Sequence, residues 1–365
     1  MNATIKRILE LAIEIQQIPA PTFHEKDRAE FVREFFQLDD ELNVKMDEAG
    51  NVLACLPGRR QKAPIVVSAH LDTVFPFDTD LKFSREEGRI QGPGIGDNST
   101  GVAALFGLLW ILRELEIKLP GDLWLVANVC EEGLGDLKGI KAIIKRFNDQ
   151  PIAYIILEGM ALGHIYNRAL GVRRFQVSIS TSGGHSWSDF GQPSAIHELT
   201  NLATRITEIS LPKTPRTTLN VGRITGGTSI NTIAAEANME VDIRSEKMDA
   251  LEKVVQDLQQ HCAIAQKKGI QVEVKQIGAR PAGEIKEDHP LVVLAQDCIR
   301  EQDLEPKLNI GSTDANLALS LGLPAITIGL THGKSAHTVH EYIFTDPLQK
   351  GMEQLFQLVT RLGKG

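Results

Sequence analysis

Three apolar runs in this chain stop abruptly on ionisable side chains. "APIVV" (63–67) leads into "SAHLDTV", which presents His70 and Asp72 two residues apart. "GDLWLVANVCEE" (121–132) ends on Glu131 and Glu132, and "IAYIILEG" (152–159) carries Glu158 near its end. Short apolar runs bounded by turn signals and separated by helix-period segments are the buried strands of an α/β sheet with helices on both faces. The helices are predicted over 2–18 and 24–37, around the breaker "IPAPT", and over "STGVAALFGLLWILREL" (99–115) and "KGIKAIIKRF" (138–147). Ligands of open α/β sheets gather beyond the carboxyl ends of the strands. Ionisable groups are costly to bury unless something pairs with them. The strand ends therefore predict a single polar crevice.

The rhythm changes after Gly171. "VRRFQVSIST" alternates like a half-exposed strand, a helix follows at 194–208, and then "RTTLNVGRIT" and "AEANMEVDIRS". A helix over 248–268 and the strand "IQVEVKQIG" complete two strand-helix-strand units, which predict an α+β, ferredoxin-like domain with one open side. From Asp288 the buried pattern returns, with a helix at 290–302, the loop "NIGSTDAN", the strand "PAITIG" and a closing helix at 346–361. The expected organisation is a catalytic domain of residues 1–170 and 283–365, interrupted by a second domain at 171–282.

Bulk composition excludes several classes. With 365 residues, 42% hydrophobic and 24% charged, the chain is long enough for about two globular domains. Its net charge of −8 gives no electrostatic footing for nucleic acid or an anionic membrane surface. The longest apolar stretch, 102–112, is too short to span a bilayer. The N-terminus has acids among its apolar residues and reads as an amphipathic helix, not a signal peptide. The four cysteines are scattered, and a reduced, cytoplasmic setting is expected.

The candidate site residues are His70, Asp72, Asp97 in "GPGIGDNSTG", Glu131, Glu132, Glu158 and His337 in "SAHTVHE". Histidines and carboxylates without a cysteine form the ligand set of a hard-to-borderline divalent ion, zinc first among them. Taken singly, each has a plainer reading: a hydrogen-bonded core histidine, or a solvated acidic pair. It is the recurrence at several strand ends that favours a metal. The glycine-rich turn does not fit the dinucleotide fingerprint, because Ser99 stands where the third glycine is required. "GGHSWS" has Ser188 where a nucleophile elbow requires glycine.

In this order, "HLDTV", "GPGIGDNSTGVAAL", "EEG", "LEG" and "AHTVHE" resemble the M20 family of cocatalytic zinc peptidases and deacylases, over nearly the whole chain. The resemblance implies two divalent ions, with zinc first and cobalt or manganese as alternatives. Asp97 would bridge them, His70 and Glu158 completing one ligand set and Glu132 and His337 the other. His337 is matched, rather than His332 or His340, because the family's last histidine lies four residues before a glutamate, here Glu341. Asp72 would hold the His70 ring, and Glu131 would be the general base for water attacking an amide. A cis peptide between Asp97 and Asn98 is also implied.

The inserted domain resembles the family's dimerisation lid. His185 would reach a neighbouring subunit's site, and Asn231 and Arg244 would bind substrate. "LEGMALGHIYNRALGV" and "GSTDANLALSLGLPAITIG" are most similar to the tripeptidase, or peptidase T-like, branch, in which Thr313 and Asp314 would be substrate contacts. Two features depart from that branch: Glu158 where aspartate is usual, and "HSW" where many members have His-Pro-Gly. The implied function is an aminopeptidase for short peptides. N-acyl amino acid deacylation, carboxypeptidase activity or a non-catalytic binding role are the alternatives.

Overall fold

The strands Ile65–His70 and Ala325–Gly329 are buried at every position, which requires a sheet covered on both faces. They belong to a nine-stranded mixed sheet in the computed structural model, which describes residues 2–362. Four neighbouring central strands, Leu123–Asn128, Ile65–His70, Ala153–Glu158 and Ala325–Gly329, run parallel. Val52–Leu56 and Asn43–Met46 extend one side antiparallel. His164–Ala169, with Gly283–Glu284 and Lys307–Gly311 beside it, closes the other. Because the central strands are parallel, their carboxyl ends share one edge. His70 pairs with Asn128, and Gly329 with Glu158. Cross-strand partners face the same side of a sheet, so these positions project together.

The helix Thr100–Glu114 is apolar around its whole circumference and almost entirely buried. Such a helix belongs in a core. Gly107 is needed there because a Cβ would collide with the Ile8 side chain. The segment Ile95–Glu114 is long and apolar enough to cross a membrane, and 89% of its most apolar window is buried inside the protein. The amphipathic helices Asn2–Gln16 and Leu348–Leu362 pack against Thr100–Glu114. Elsewhere Lys138–Phe147 packs on Ala315–Ser320.

The chain divides into two units, one running through Ala169 and resuming at Gly283, the other Leu170–Ala282. The second has its own hydrophobic core. Its antiparallel sheet has the order Thr217–Gly226, Glu236–Ser245, Gly171–Thr181, Ile270–Arg280. With helices Ala195–Thr207 and Met248–Ala265 in the crossovers, this is the ferredoxin-like β-α-β-β-α-β order. Glu236–Ser245 alternates between buried and part-exposed positions, as one covered face requires.

A small four-stranded sheet in the first unit has the order Gly333–Lys334, Tyr342–Phe344, Arg89–Gln91, Ser84–Glu86. Pairing of Tyr342 with Gln91 and Ile343 with Ile90 brings the loop that carries His337 against the glycine-rich turn that carries Asp97.

Candidate metal centre

Asp97 sits between two imidazoles. Its Oδ1 lies 3.1 Å from His70 Nε2, and its Oδ2 lies 3.1 Å from His337 Nε2. Glu158 Oε2 is 3.8 Å from His70 Nε2, and Glu132 Oε1 is 3.2 Å from His337 Nε2. Two ligand triads result, His70–Asp97–Glu158 and Asp97–Glu132–His337, each with donor atoms within 4.8 Å of one another. Glu131 joins His70 and Glu132 in a third group of the same compactness.

Local clamps hold these residues. His70 ends its strand, and its Nδ1 lies 3.0 Å from the main-chain oxygen of Asp72. A carbonyl oxygen only accepts, so Nδ1 carries the proton and Nε2 faces Asp97 and Glu158. Asn98 straddles the end of the Glu158 strand, donating to Leu157 O at 2.8 Å and accepting from Gly159 N at 3.0 Å. The Asp97–Asn98 peptide is cis. Glu341 accepts N–H groups from Gly94, Gly96 and Asp97 at 3.3, 2.7 and 2.8 Å. It thereby ties the His337 loop to the Asp97 turn.

The acid pair needs a bend, since adjacent strand residues point to opposite faces. The strand stops at Asn128, and Cys130 turns the chain with a left-handed φ of 59°. The Asp72 carboxylate then takes the N–H of Glu131 at 2.9 Å and of Glu132 at 2.8 Å. Consecutive N–H groups on one anion form a nest. Asp72 lies at the Nδ1 side of His70 through its main-chain oxygen and, at 3.6 Å, its carboxylate, and the same carboxylate also holds the acid-pair turn.

The electrostatics describe a cluster short of positive charge. Burial alone would lower the His70 pKa, yet the carboxylates of Asp72, Asp97 and Glu158 hold it well above its ordinary value. Asp97 and Glu132 push His337 up to about 10. Against its own burial, Asp97 is held well below the usual carboxylate range by the two histidines. Burial raises Glu158 despite His70. Protons on the imidazoles stand where a cation would serve better. Nitrogen and carboxylate donors without a thiolate, converging within 4.8 Å, fit a borderline divalent ion at each triad.

The remaining predicted residues divide. Thr313 is half-buried, with its hydroxyl 2.8 Å from that of Thr327. Asp314 corrects an expectation: it is 0% exposed, and its Oδ2 accepts from Asn128 Nδ2 at 2.7 Å, so it offers no surface to substrate. Burial pushes it up to about 7. In the second unit His185 is exposed and pairs with Thr232, beside Asn231. Arg244 lies eight residues along the strand from Glu236, which at the usual rise is about 26 Å from that end. Sequence reasoning missed Asn98 as a clamp and used Glu341 only as a landmark. Both sit in or beside the candidate motifs, and polar side chains there that bind no metal are the signal to look for.

The profile of peptidase family M20/M25/M40 matches residues 66–361. Uncharacterized protein YqjE of Bacillus subtilis (strain 168) is 25% identical over 376 residues, covering 98% of this chain and 99% of that one. A tripeptidase from Staphylococcus aureus subsp. aureus Mu50 superposes with a TM-score of 0.83 at 22% identity, covering 99% of each chain. Aminopeptidase PepT from Bacillus cereus ATCC 10987 gives 0.78 at 23% identity, covering 98% of each. The chain therefore belongs to peptidase family M20/M25/M40, and is a hydrolase of the metallopeptidase class.

Proposed function

We propose that this chain is a dinuclear-metal aminopeptidase for short peptides, in the tripeptidase-like branch of its family. The observation that carries the reading is Asp97, whose two oxygens each lie 3.1 Å from a different histidine and so join two triads. In this reading His70 and Glu158 would hold one ion and Glu132 and His337 the other, with Asp97 shared between them. Zinc is the first candidate, with cobalt or manganese as substitutes. When bound, such ions polarise the amide carbonyl and lower the pKa of water toward neutrality.

The chain's own residues do the rest. The Glu131 carboxylate takes a proton from the attacking water and delivers it to the leaving amine nitrogen. Glu132 cannot share that task while its oxygens are committed as ligands. The Asp72 nest keeps both acids on one side of the turn. His185 would polarise the substrate carbonyl, and Asn231, Arg244 and Thr313 would bind substrate.

Arg244 lies about 26 Å along the sheet from the end near His185 and Asn231. One copy of the second unit therefore cannot present all three to one small substrate. A two-fold dimer through this domain supplies the second copy. The four cysteines are buried and free of disulfides, which supports a reduced, cytoplasmic setting.

The test is purified protein loaded with Zn²⁺, Co²⁺ or Mn²⁺ and given tripeptides, dipeptides, N-acyl amino acids and long polypeptides. Tripeptides cut from the amino end are the expected best substrates. Preferential release of acyl groups, or equal cleavage of long chains, would overturn the assignment. Glu131→Ala should abolish turnover and leave metal content near normal. Loss of metal instead would mean that Glu131 and Glu132 exchange roles.

A further inference from the structure

Residues 18–28 precede the stretch matched by the family and contain no candidate ligand. Their polar groups nevertheless converge on the backbone beneath the acid pair. Thr22 Oγ1 donates to Asp72 Oδ2 at 2.9 Å, the same oxygen that takes the Glu132 N–H at 2.8 Å. Glu25 is 5% exposed and accepts the N–H of Cys130 at 3.0 Å and of Phe23 at 3.0 Å. The N–H groups of three consecutive residues, 130 to 132, thus all end on carboxylates: Glu25 for the first, Asp72 for the other two.

Arg28 is 1% exposed and is attracted by both anions. Its Nη1 donates to Leu71 O at 2.8 Å, and its Nε and Nη2 donate to Ile18 O at 2.9 and 2.6 Å. Leu71 is the residue between His70 and Asp72, and its own N–H donates to Asn128 O at 2.7 Å. A further strut runs from Thr73 N to Ala20 O at 2.9 Å. Burial pulls the guanidinium down to about 10 against the attraction of Asp72 and Glu25, so it stays charged at neutral pH. Arginine is almost never fully buried unless it is paired. Here two carboxylates balance it, and both hold the turn that carries Glu131 and Glu132.

We propose that Thr22, Glu25 and Arg28 are positioning residues for the Glu131–Glu132 turn, acting through Asp72, Cys130 and Leu71. This rests on the reading of Glu131 as proton carrier and Glu132 as ligand. The Arg28 fork satisfies two carbonyls at fixed angles while its charge offsets two anions. Lysine supplies the charge without the fork.

The experiment uses the full chain with Thr22→Val, Glu25→Gln, Arg28→Met and Arg28→Lys. Three quantities are measured: thermal melting, Co²⁺ affinity from visible absorption without substrate, and kcat and KM on the best peptide of the panel. Partners that orient ligands typically cost about 10–100-fold in metal affinity or activity when removed, and that is the loss expected here for Co²⁺ affinity and kcat. KM should stay within about twofold, the signature of a lost transition-state interaction rather than lost binding. Arg28→Lys should recover less than half of the Arg28→Met loss on a logarithmic scale.

Parent-like Co²⁺ affinity and kcat in folded Thr22→Val and Glu25→Gln would overturn the proposal. So would losses that merely track the unfolded fraction. If the Arg28 variants do not fold, those two variants decide. Glu131→Gln is the control on the underlying reading. Should it stay active, the function assignment fails, while the Co²⁺ affinities still report how Glu132 is positioned.

Discussion

Loading the metal-free protein should release protons, and their number follows from the geometry. His70 Nε2 faces Asp97 and Glu158, and His337 Nε2 faces Asp97 and Glu132. Without metal, these carboxylates hold the His70 imidazole well above its ordinary pKa and push His337 up to about 10. His337 is therefore protonated at pH 7, and the surrounding carboxylates favour the protonated form of His70 as well. A ligating nitrogen must be deprotonated. Binding one ion at each triad displaces the His337 proton and, to the extent that His70 is protonated, a second one, so the count lies between about one and about two. The sign is fixed: a group that must lose a proton to bind weakens binding as pH falls below its pKa. The product of the two association constants should then rise at least about tenfold per pH unit between pH 6 and 8, or about 1.4 kcal/mol for the His337 proton, and more steeply where His70 also releases one. Calorimetric Co²⁺ titrations in weakly coordinating buffers of different ionisation enthalpy count the protons directly. Replacing His337 by Ala should lower the count by about one. A count near zero at pH 7 would refute the reasoning, because the imidazoles would then be neutral before metal arrives.

Other predictions follow from individual contacts. Asp72→Asn replaces an acceptor oxygen by a donor against the Glu131 or Glu132 N–H. Loss of one charge-assisted bond, about 1.5–3 kcal/mol, should lower kcat about 10–100-fold, and unchanged kcat would contradict the nest. His337 has a half-exposed side chain and His70 a buried one, so chelation should remove the ion at the His337 triad first, giving biphasic release by metal analysis. Asp314→Asn should raise the melting temperature of metal-free protein at pH 8. An acid whose folded pKa is raised to about 7 costs stability as pH rises from its unfolded value through its folded one. Gly351→Ala places a Cβ against Leu330 O and should destabilise by about 1–3 kcal/mol, read as a lower melting temperature.

The legible parts of the sequence were those that physics repeats. Apolar runs and helical periods marked the central parallel strands, and two strand-helix-strand units in 171–282 marked a fold whose sheet order then follows. The run at 121–132 reads as strand to its end, but the strand stops at Asn128. Neither the left-handed Cys130 nor a nest on a carboxylate 59 residues away leaves a local pattern. The short strands Gly333–Lys334 and Tyr342–Phe344 are too brief for periodicity, yet their sheet brings His337 to Asp97. "NIGSTDAN" reads as a loop, while Lys307–Gly311 is a strand and Ala315–Ser320 a helix. Asp314 is implied as a substrate contact by the resemblance to the tripeptidase branch alone, and its burial is a property of tertiary packing that no motif states.

The two triads differ in what assembles them. His70 and Glu158 come from neighbouring parallel strands, so their approach is fixed once the sheet forms, and Asn98 ties the Asp97 turn to that edge. Glu132 and His337 come from loops held by carboxylates that accept backbone N–H groups: Asp72 for one, Glu341 for the other. These two clamps, Asp72 and Glu341, are thus themselves anions placed beside an already acidic cluster. Such an arrangement raises the cost of folding without a cation, since buried carboxylates repel one another and lose water. Protonated histidines offset part of that cost, and Arg28 offsets another part below the acid pair. Divalent ions would displace the protons and supply more charge at the same positions. Metal affinity and stability of the first unit are therefore coupled through the same carboxylates.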